Sequence, residues 1–80
     1  MNSAIKANRR RTLFLRFDGL CHYCGVPTAL DVGTIDHKTP KSRGGTDTYR
    51  NLAWSCSPCN TKKADRTAAE YFLWLQTNSA

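Results

Sequence analysis

All four cysteines of this 80-residue chain lie in two segments, Cys21-His22-Tyr23-Cys24-Gly25 and Cys56-Ser57-Pro58-Cys59-Asn60. Each segment is a Cys-x2-Cys pair, the spacing at which one tight turn presents two thiolates to the same metal ion. Two such pairs supply the four ligands of a tetrahedral structural zinc site. The predicted ligands are Cys21, Cys24, Cys56 and Cys59. Residues 25–55 form a longer interval than a plain zinc ribbon needs, so we expect them to carry more than metal ligation.

Two other uses of the cysteines stay open. Four cysteines can form two disulfides in three pairings, but disulfides are typical of secreted chains. The N-terminal residues show no signal-peptide pattern, and the apolar run 13–15 is too short for a membrane span. A thioredoxin-type redox role requires a strand-to-helix step of a βαβ unit, which neither pair has. We therefore expect a soluble, cytoplasmic protein with zinc and no membrane partner.

The length predicts one domain over residues 1–80, near the lower limit at which a hydrophobic core alone stabilises a fold. Structural zinc in small domains contributes roughly 10 kcal/mol of apparent binding free energy, most of which becomes folding free energy. We therefore expect the zinc to stabilise this domain.

The charge balance favours a polyanionic partner. Twelve Lys and Arg stand against six Asp and Glu, which gives a formal net charge of +6. Nucleic acid is the expected polyanion, because the basic residues are spread over loops and helix ends and do not form one face of a membrane-binding helix. The alternative is a basic surface that only keeps the chain soluble.

The N-terminal pattern predicts a helix from Arg9 to Asp18, capped by Asn8 and ended by Gly19. Its core-facing stripe consists of Leu13, Phe14, Phe17 and Leu20.

The rest of the chain reads as a hairpin followed by two helices. Strands are expected over 28–37 and 52–55, with a loop over 38–49 between them. Ser57 followed by Pro58 predicts a helix start. Thr67 and Glu70 form a capping box for a last helix through about residue 76. In that helix Ala68, Phe72 and Leu75 are expected to be buried, with Tyr71 or Trp74 beside the core.

Four polar residues between and beside the cysteine pairs suit phosphodiester hydrolysis, namely Asp36, His37, Asn51 and Asn60. A histidine titrates near neutral pH and can take a proton from water. Carboxylate and amide oxygens are the ligands that Mg²⁺ or Mn²⁺ prefers. In a strand, Asp36 and His37 point to opposite faces, so one can hold metal while the other addresses the water.

Together these residues resemble the zinc-containing HNH endonucleases, which are ββα-metal or His-Me finger nucleases. The matching text is Cys21-x2-Cys24-Gly25, Ile35-Asp36-His37-x2-Pro40-x-Ser42-x-Gly44-Gly45, Asn51-Leu52 and Cys56-x2-Cys59-Asn60-x2-Lys63. The resemblance covers about residues 20–66, and the combined pattern is specific. It implies a small α+β, ββα-metal fold with a four-cysteine structural zinc site, flanked by an N-terminal and a C-terminal helix.

The resemblance also implies a role for each matched residue. His37 corresponds to the general base, and Asp36 and Asn60 to the ligands of one catalytic divalent metal. Asn51 corresponds to the middle asparagine, which braces the loop and orients the histidine. The all-oxygen ligand pair favours Mg²⁺ or Mn²⁺ over softer ions.

Basic residues of the same segment are expected to contact DNA phosphates. They are Lys38, Lys41, Arg43, Arg50, Lys62, Lys63 and Arg66. Arg43 and Arg50 are the candidates for the scissile phosphate, and Lys63 has the alternative of neutralising the zinc-thiolate cluster. Gly44-Gly45 is interpreted as a loop requirement and not as a phosphate cradle.

We therefore predict a DNA endonuclease that hydrolyses phosphodiesters with one catalytic metal, as a monomer or weak dimer that nicks double-stranded DNA with low sequence specificity. Two alternatives remain. One is a zinc module that binds nucleic acid without cutting it. The other is an accessory interaction domain of a bacteriophage packaging machine, because small stand-alone family members often lie near packaging genes. The resemblance thus implies a terminase as a further partner.

Overall fold

Two antiparallel strands form the centre of the structure, a computed structural model that describes residues 3–78. Strand β1 is Thr34–His37 and β2 is Leu52–Ser55, paired with Asp36 opposite Ala53 and His37 opposite Leu52. Helix α2, Ser57–Lys63, follows β2 directly. Helices α1, Ser3–Arg16, and α3, Ala68–Asn78, flank this unit. The predicted α+β, ββα-metal fold with flanking helices is confirmed.

The two faces of the hairpin meet different helices, because side chains alternate along a strand. Leu52 and Trp54 are fully buried against Leu13 of α1, and Ile35 packs onto the same cluster. Asp36 points the other way, towards Lys63 of α2. The hairpin therefore lies between α1 and α2, and its edge residues Asp36 and His37 reach different surroundings.

Helix α1 differs from its prediction at the start. Its described part already includes Ser3, so Asn8 lies inside the helix and does not cap it. The end is close to the prediction, since the Gly19 amide donates to the Phe14 carbonyl oxygen at 2.8 Å and closes the last turn. Leu13 is buried as expected, whereas Leu20 is 42% exposed and lies outside the core.

The predicted first strand is too long. Residues 28–33 are not part of the strand, and the turn at 30–32 is closed by the Gly33 amide, which donates to the Ala29 carbonyl oxygen at 3.0 Å. The Trp54 indole donates to the Thr28 carbonyl oxygen at 3.0 Å, which ties this turn to the core. Strand β2 has the predicted bounds, 52–55.

Helix α2 starts one residue earlier than predicted, because Ser57 was expected to be the cap and Pro58 the first helical residue. Cys56 is the N-cap, and its sulfur accepts a hydrogen bond from the Cys59 amide at 3.4 Å. Ser57 is therefore the first helical residue and Pro58 the second. The sulfur of Cys56, a predicted zinc ligand, therefore caps the helix, and the Ser57 side chain is not required as a cap.

The capping box of α3 is confirmed. The Thr67 amide donates to Glu70 Oε1 at 2.8 Å, and the Glu70 amide donates to Thr67 Oγ1 at 3.2 Å. The expected order of burial was wrong, because Tyr71 is fully buried beside the cysteines and Phe72 is 37% exposed. Among residues 3–78, none of the helices combines the length and the apolar character that a membrane span requires.

Candidate active site

The four cysteine sulfurs form one cluster in which every ligand atom lies within 4.8 Å of the others. The sulfurs of Cys24 and Cys56 are 3.8 Å apart. In a tetrahedral site with zinc–sulfur bonds of about 2.3 Å, neighbouring sulfurs are also about 3.8 Å apart. We therefore interpret this contact as an edge of a metal tetrahedron. The cysteines are free and not joined as disulfides, and the cluster has the ligands and the spacing to hold a zinc ion.

Each cysteine pair is shaped by backbone amides that point at sulfur. The Tyr23 amide donates to Cys21 Sγ at 3.4 Å, as the Cys59 amide does to Cys56 Sγ. The first turn closes through Gly25, whose φ of +77° lies in the left-handed region that favours glycine. These amides stabilise negative charge on the thiolates that bind the metal.

Two electrostatic features fit a cation at the centre of the cluster. Burial raises the pKa of Cys59 to about 12, and the negative Cys21 adds to this, so the buried thiols do not all ionise without compensating charge. The buried Tyr71 hydroxyl makes no hydrogen bond of ordinary geometry among the described residues, yet it lies close enough to Cys59 to lower the pKa of that thiol. A metal-bound thiolate is the acceptor that this hydroxyl requires.

A second, open cavity of about 280 Å³ lies beside the hairpin. Its lining residues are Ile35, Asp36, His37, Pro40, Lys41, Asn60, Lys63 and Ala64. The structure thus brings three of the four predicted site residues together at one cavity. Asn51 lines a different cavity, together with residues of the loop over 39–50.

Asp36 is 4% exposed and is held from two sides. The Tyr23 hydroxyl donates to Oδ2, and the Lys63 ammonium lies 3.3 Å from Oδ1. Burial, together with the hydrogen bond to Asp36, raises the pKa of Tyr23 well above its ordinary value, so the phenol keeps its proton and stays a donor. The carboxylate is therefore fixed between the first cysteine turn and α2.

Lys63 was wrongly predicted to contact DNA. Its side chain is 1% exposed, and its ammonium donates to the His37 carbonyl oxygen at 2.8 Å while pairing with Asp36. A buried ammonium with two such partners does not reach a phosphate. These partners also differ from the alternative prediction, since Lys63 neutralises the Asp36 carboxylate and not the thiolate cluster.

His37 is oriented by a residue that the sequence did not point to. Its Nε2 lies 2.7 Å from Asp47 Oδ1, and the other oxygen of Asp47 accepts from Lys41 Nζ at 3.0 Å. The hydrogen bonds with His37 and Lys41 lower the pKa of Asp47 to about 2, so this carboxylate is ionised at neutral pH. The His37 side chain is 23% exposed and opens on the cavity.

Asn51 binds the backbone of the loop at three points. Its Oδ1 accepts from the Thr39 amide at 2.9 Å, and its Nδ2 donates to the carbonyl oxygens of Thr39 at 3.0 Å and Thr46 at 2.8 Å. Gly45 must be glycine here, because a Cβ atom would lie 1.7 Å from the Thr39 carbonyl oxygen. The loop therefore requires both residues for its shape, and the effect of Asn51 on His37 stays a prediction.

Asn60 lies in α2, half-buried at the wall of the cavity. Among residues 3–78 its side-chain amide has no hydrogen-bond partner, so its oxygen is available to a ligand. Asp36 and Asn60 together offer the carboxylate and amide oxygens that suit a hard divalent cation. The Lys63 ammonium on Asp36 Oδ1 competes with such a cation for the same carboxylate.

The other basic residues predicted to contact DNA differ in their exposure and in whether their side chains are already paired. Lys41, Arg43, Arg50 and Lys62 are exposed, and Lys38 and Arg66 are half-buried. Arg43 is engaged by Glu70, with Nη1 2.5 Å from Oε1. Arg66 donates to the Lys62 carbonyl oxygen at 2.7 Å and stacks over the Trp74 ring. Arg50 and Lys62 are exposed and have no ion pair within the described part of the chain, which makes them the most available of these cations.

Sequence reasoning missed Asp47 and Tyr23, which hold His37 and Asp36, and Tyr71 at the cysteine cluster. Tyr23 and Tyr71 read as ordinary aromatic residues, and Asp47 as a polar loop residue. One feature of the sequence could have pointed to Asp47. It lies only four residues before Asn51, a predicted site residue, in the connection between β1 and β2.

The comparisons with known proteins bear on the central part of the chain. The family model for the HNH endonuclease matches residues 21–66, more than half of the chain. No curated protein matches the chain. The matched region runs from the first zinc ligand to Arg66, so α1 and α3 lie outside it.

Proposed function

Because this chain belongs to the HNH endonuclease family, we propose that it is a metal-dependent DNA endonuclease that hydrolyses phosphodiester bonds with one catalytic metal ion. The family implies nuclease activity on DNA in general, and the resemblance seen in the sequence is confirmed. The metal, the cutting pattern and the residue roles are the finer parts of the proposal.

The observation that supports it most is the convergence of Asp36, His37 and Asn60 on one open cavity. Hydrolysis of a phosphodiester needs a base for the attacking water and a cation beside the phosphate. The cavity offers an imidazole for the first task and two oxygen donors for the second. The cysteine cluster cannot take this part, because four thiolates leave zinc no open position for substrate.

In the proposed reaction, neutral His37 takes the proton from a water molecule as the water attacks the phosphorus. Asp36 and Asn60 would hold a divalent ion, Mg²⁺ or Mn²⁺. When bound, this ion supplies positive charge to the scissile phosphate and to the leaving 3′-oxygen. Tyr23 and Lys63 fix Asp36 beside His37, so the donors and the base are positioned before the substrate arrives.

The proposed cutting pattern is a nick. One such cavity lies within the described part of the chain, which suits one strand cut per binding event. Lys41 lines this cavity and is exposed, as are Arg50 and Lys62 elsewhere on the surface, and these cations support binding to phosphates of double-stranded DNA. Such contacts position the duplex without reading bases, so we propose low sequence specificity. We further propose that the protein acts in the cytoplasm as a monomer or weak dimer.

A supercoiled-plasmid assay with Mg²⁺ or Mn²⁺ tests the proposal. We expect the zinc-loaded protein to convert supercoiled plasmid to the nicked form. His37→Ala should lower the rate by roughly 10² to 10⁴-fold, the range for loss of a general base. Zinc content and the far-UV circular dichroism spectrum of the variant should match those of the parent protein.

The matched control is His22→Phe. His22 packs among the rings of Phe17, Tyr23 and Phe72, and phenylalanine preserves those contacts while removing the only other imidazole. This variant should cut like the parent protein. Equal cutting by His37→Ala and His22→Phe would contradict the proposed active site. DNA binding without cutting by either variant or the parent would favour the non-catalytic zinc module.

A further inference from the structure

We propose that Asp47 is a positioning residue for His37, which holds the proton on Nε2 and leaves Nδ1 as the nitrogen that accepts the proton of the attacking water. This inference rests on the proposed function and deepens it. It names the residue that selects which nitrogen of the base is reactive, and Asp47 is none of the residues to which the sequence assigned a role.

The first observation is the contact itself. His37 Nε2 and Asp47 Oδ1 are 2.7 Å apart, the length of a strong hydrogen bond to a charged acceptor. An ionised carboxylate only accepts hydrogen bonds, so the proton of neutral His37 lies on Nε2. Nδ1 then carries the lone pair. It points away from Asp47 and has no hydrogen-bond partner among residues 3–78.

The second observation is that Asp47 is itself fixed. Its second oxygen accepts from Lys41 Nζ at 3.0 Å, and its backbone carbonyl oxygen accepts from the Arg9 guanidinium of α1. Two residues on, the Tyr49 ring is covered by the guanidinium groups of Arg9 at 4.9 Å and Arg16 at 4.7 Å. Helix α1 thus holds the segment that carries Asp47, although it lies outside the residues matched by the family.

The third observation is that the backbone of His37 is also fixed. Lys63 donates to its carbonyl oxygen at 2.8 Å, and the next amide, that of Lys38, donates to the Asn51 carbonyl oxygen at 2.7 Å. With the main chain held, the remaining freedom of His37 is the rotation of its ring. Asp47 removes that freedom, which is the contribution a carboxylate makes to a catalytic histidine.

A different role for Asp47 would be only to hold the loop, through its pairing with Lys41. The two roles predict different effects of substitutions. Asp47→Ala removes both contacts, Asp47→Asn keeps an acceptor oxygen for Nε2, and Lys41→Met removes only the ammonium. Asp31→Ala serves as the control, because Asp31 is exposed and lies outside the cavity, and its replacement removes the same charge.

The experiment measures plasmid nicking and the imidazole ¹⁵N chemical shifts of His37 on the zinc-loaded, full-length variants. We expect Asp47→Ala to lower kcat by roughly tenfold to a hundredfold, with a smaller loss in Asp47→Asn. The ¹⁵N shifts should show protonated Nε2 in the parent protein and a mixture of tautomers in Asp47→Ala. Lys41→Met should keep the parent tautomer and act mainly on KM.

Two results would overturn the inference. One is a kcat for Asp47→Ala within twofold of that for Asp31→Ala. The other is an unchanged His37 tautomer in Asp47→Ala, whatever its rate. Failure of the proposed function looks different, because His37→Ala would then cut as well as the parent protein. The ¹⁵N measurement decides the tautomer in that case too, since it does not depend on cutting.

Discussion

The cysteine cluster and the cavity at Asp36 share helix α2, which contributes Cys59 to the cluster and Asn60 and Lys63 to the cavity, yet they are built on opposite principles. The cluster brings four like groups together, three of them buried, with every ligand atom within 4.8 Å of the others. The cavity is open and combines unlike groups, with a carboxylate, an imidazole, an amide and a buried ammonium around it. A closed site suits an ion that stays, and an open site suits one that must also meet a phosphate.

The difference also separates stability from chemistry. Cys59 and Asn60 are adjacent in α2, so an ion bound by the cysteines fixes the position of the asparagine. We therefore expect the cavity to depend on the cluster for its geometry and the cluster to form without the cavity. Changes at the cluster should therefore abolish both fold and activity, and changes at the cavity should spare the cluster.

Removal of zinc is expected to have the largest effect. Chelation, or the variant Cys59→Ala, should unfold the chain, because structural zinc supplies on the order of 10 kcal/mol to such a domain. Far-UV circular dichroism with zinc quantification measures this. Ser57→Ala, an exposed change in the same turn, should keep both zinc and helicity. Full helicity in zinc-free protein would show that the core suffices alone.

The next effect concerns the buried ion pair at the cavity. Lys63→Met leaves the buried Asp36 carboxylate without its cation, and loss of one partner of such a pair typically costs about 3 to 5 kcal/mol. Thermal unfolding of the zinc-loaded protein measures the loss. Lys62→Met, a change at the exposed neighbour, should leave the unfolding temperature nearly unchanged.

The same variant tests whether Asp36 also faces a metal site. Mn²⁺ should raise the unfolding temperature of Lys63→Met more than that of the parent protein, because the competing ammonium is gone and the bound ion stabilises the folded state. An equal response of the two proteins to Mn²⁺ would mean that Asp36 and the metal do not meet.

The smallest predicted effect distinguishes two surface arginines. Arg50 has no ion pair among residues 3–78, while Arg43 is already paired with Glu70. Arg50→Ala should therefore reduce the slope of log affinity for DNA against log salt by about 0.9, the value for one phosphate contact. Arg43→Ala should change the slope less. Affinity measured between low and high salt checks this, and a larger change for Arg43→Ala would reverse the assignment.

The parts predicted from sequence are those governed by short intervals. The Cys-x2-Cys turns, the bounds of β2 and the capping box of Thr67 and Glu70 each depend on residues within a few positions of one another. Asp36, His37 and Asn60 were also predicted as site residues, because a family pattern fixes their order, and their roles stay a proposal. The structure shows in addition that the three residues line one cavity, which local sequence patterns do not predict.

The errors arose where distant residues decide the outcome. Lys63 reads as a surface cation at the end of a helix, but the hairpin places Asp36 and the His37 carbonyl oxygen against it. Asp47 reads as a loop residue until the fold returns it to His37, ten positions earlier. The helical segment that precedes Arg9 in α1 was missed for another reason, since residues 3–8 are exposed and carry no core-facing pattern.

Binding of Mn²⁺ to the zinc-loaded protein, followed by electron paramagnetic resonance, most directly tests whether the chain has two separate divalent sites. We predict one Mn²⁺ per chain, with zinc retained. Asn60→Ala should weaken Mn²⁺ binding by roughly tenfold or more without loss of zinc, since a direct ligand matters at least as much as an outer partner. Undiminished Mn²⁺ binding by Asn60→Ala, or displacement of zinc by Mn²⁺, would contradict the account.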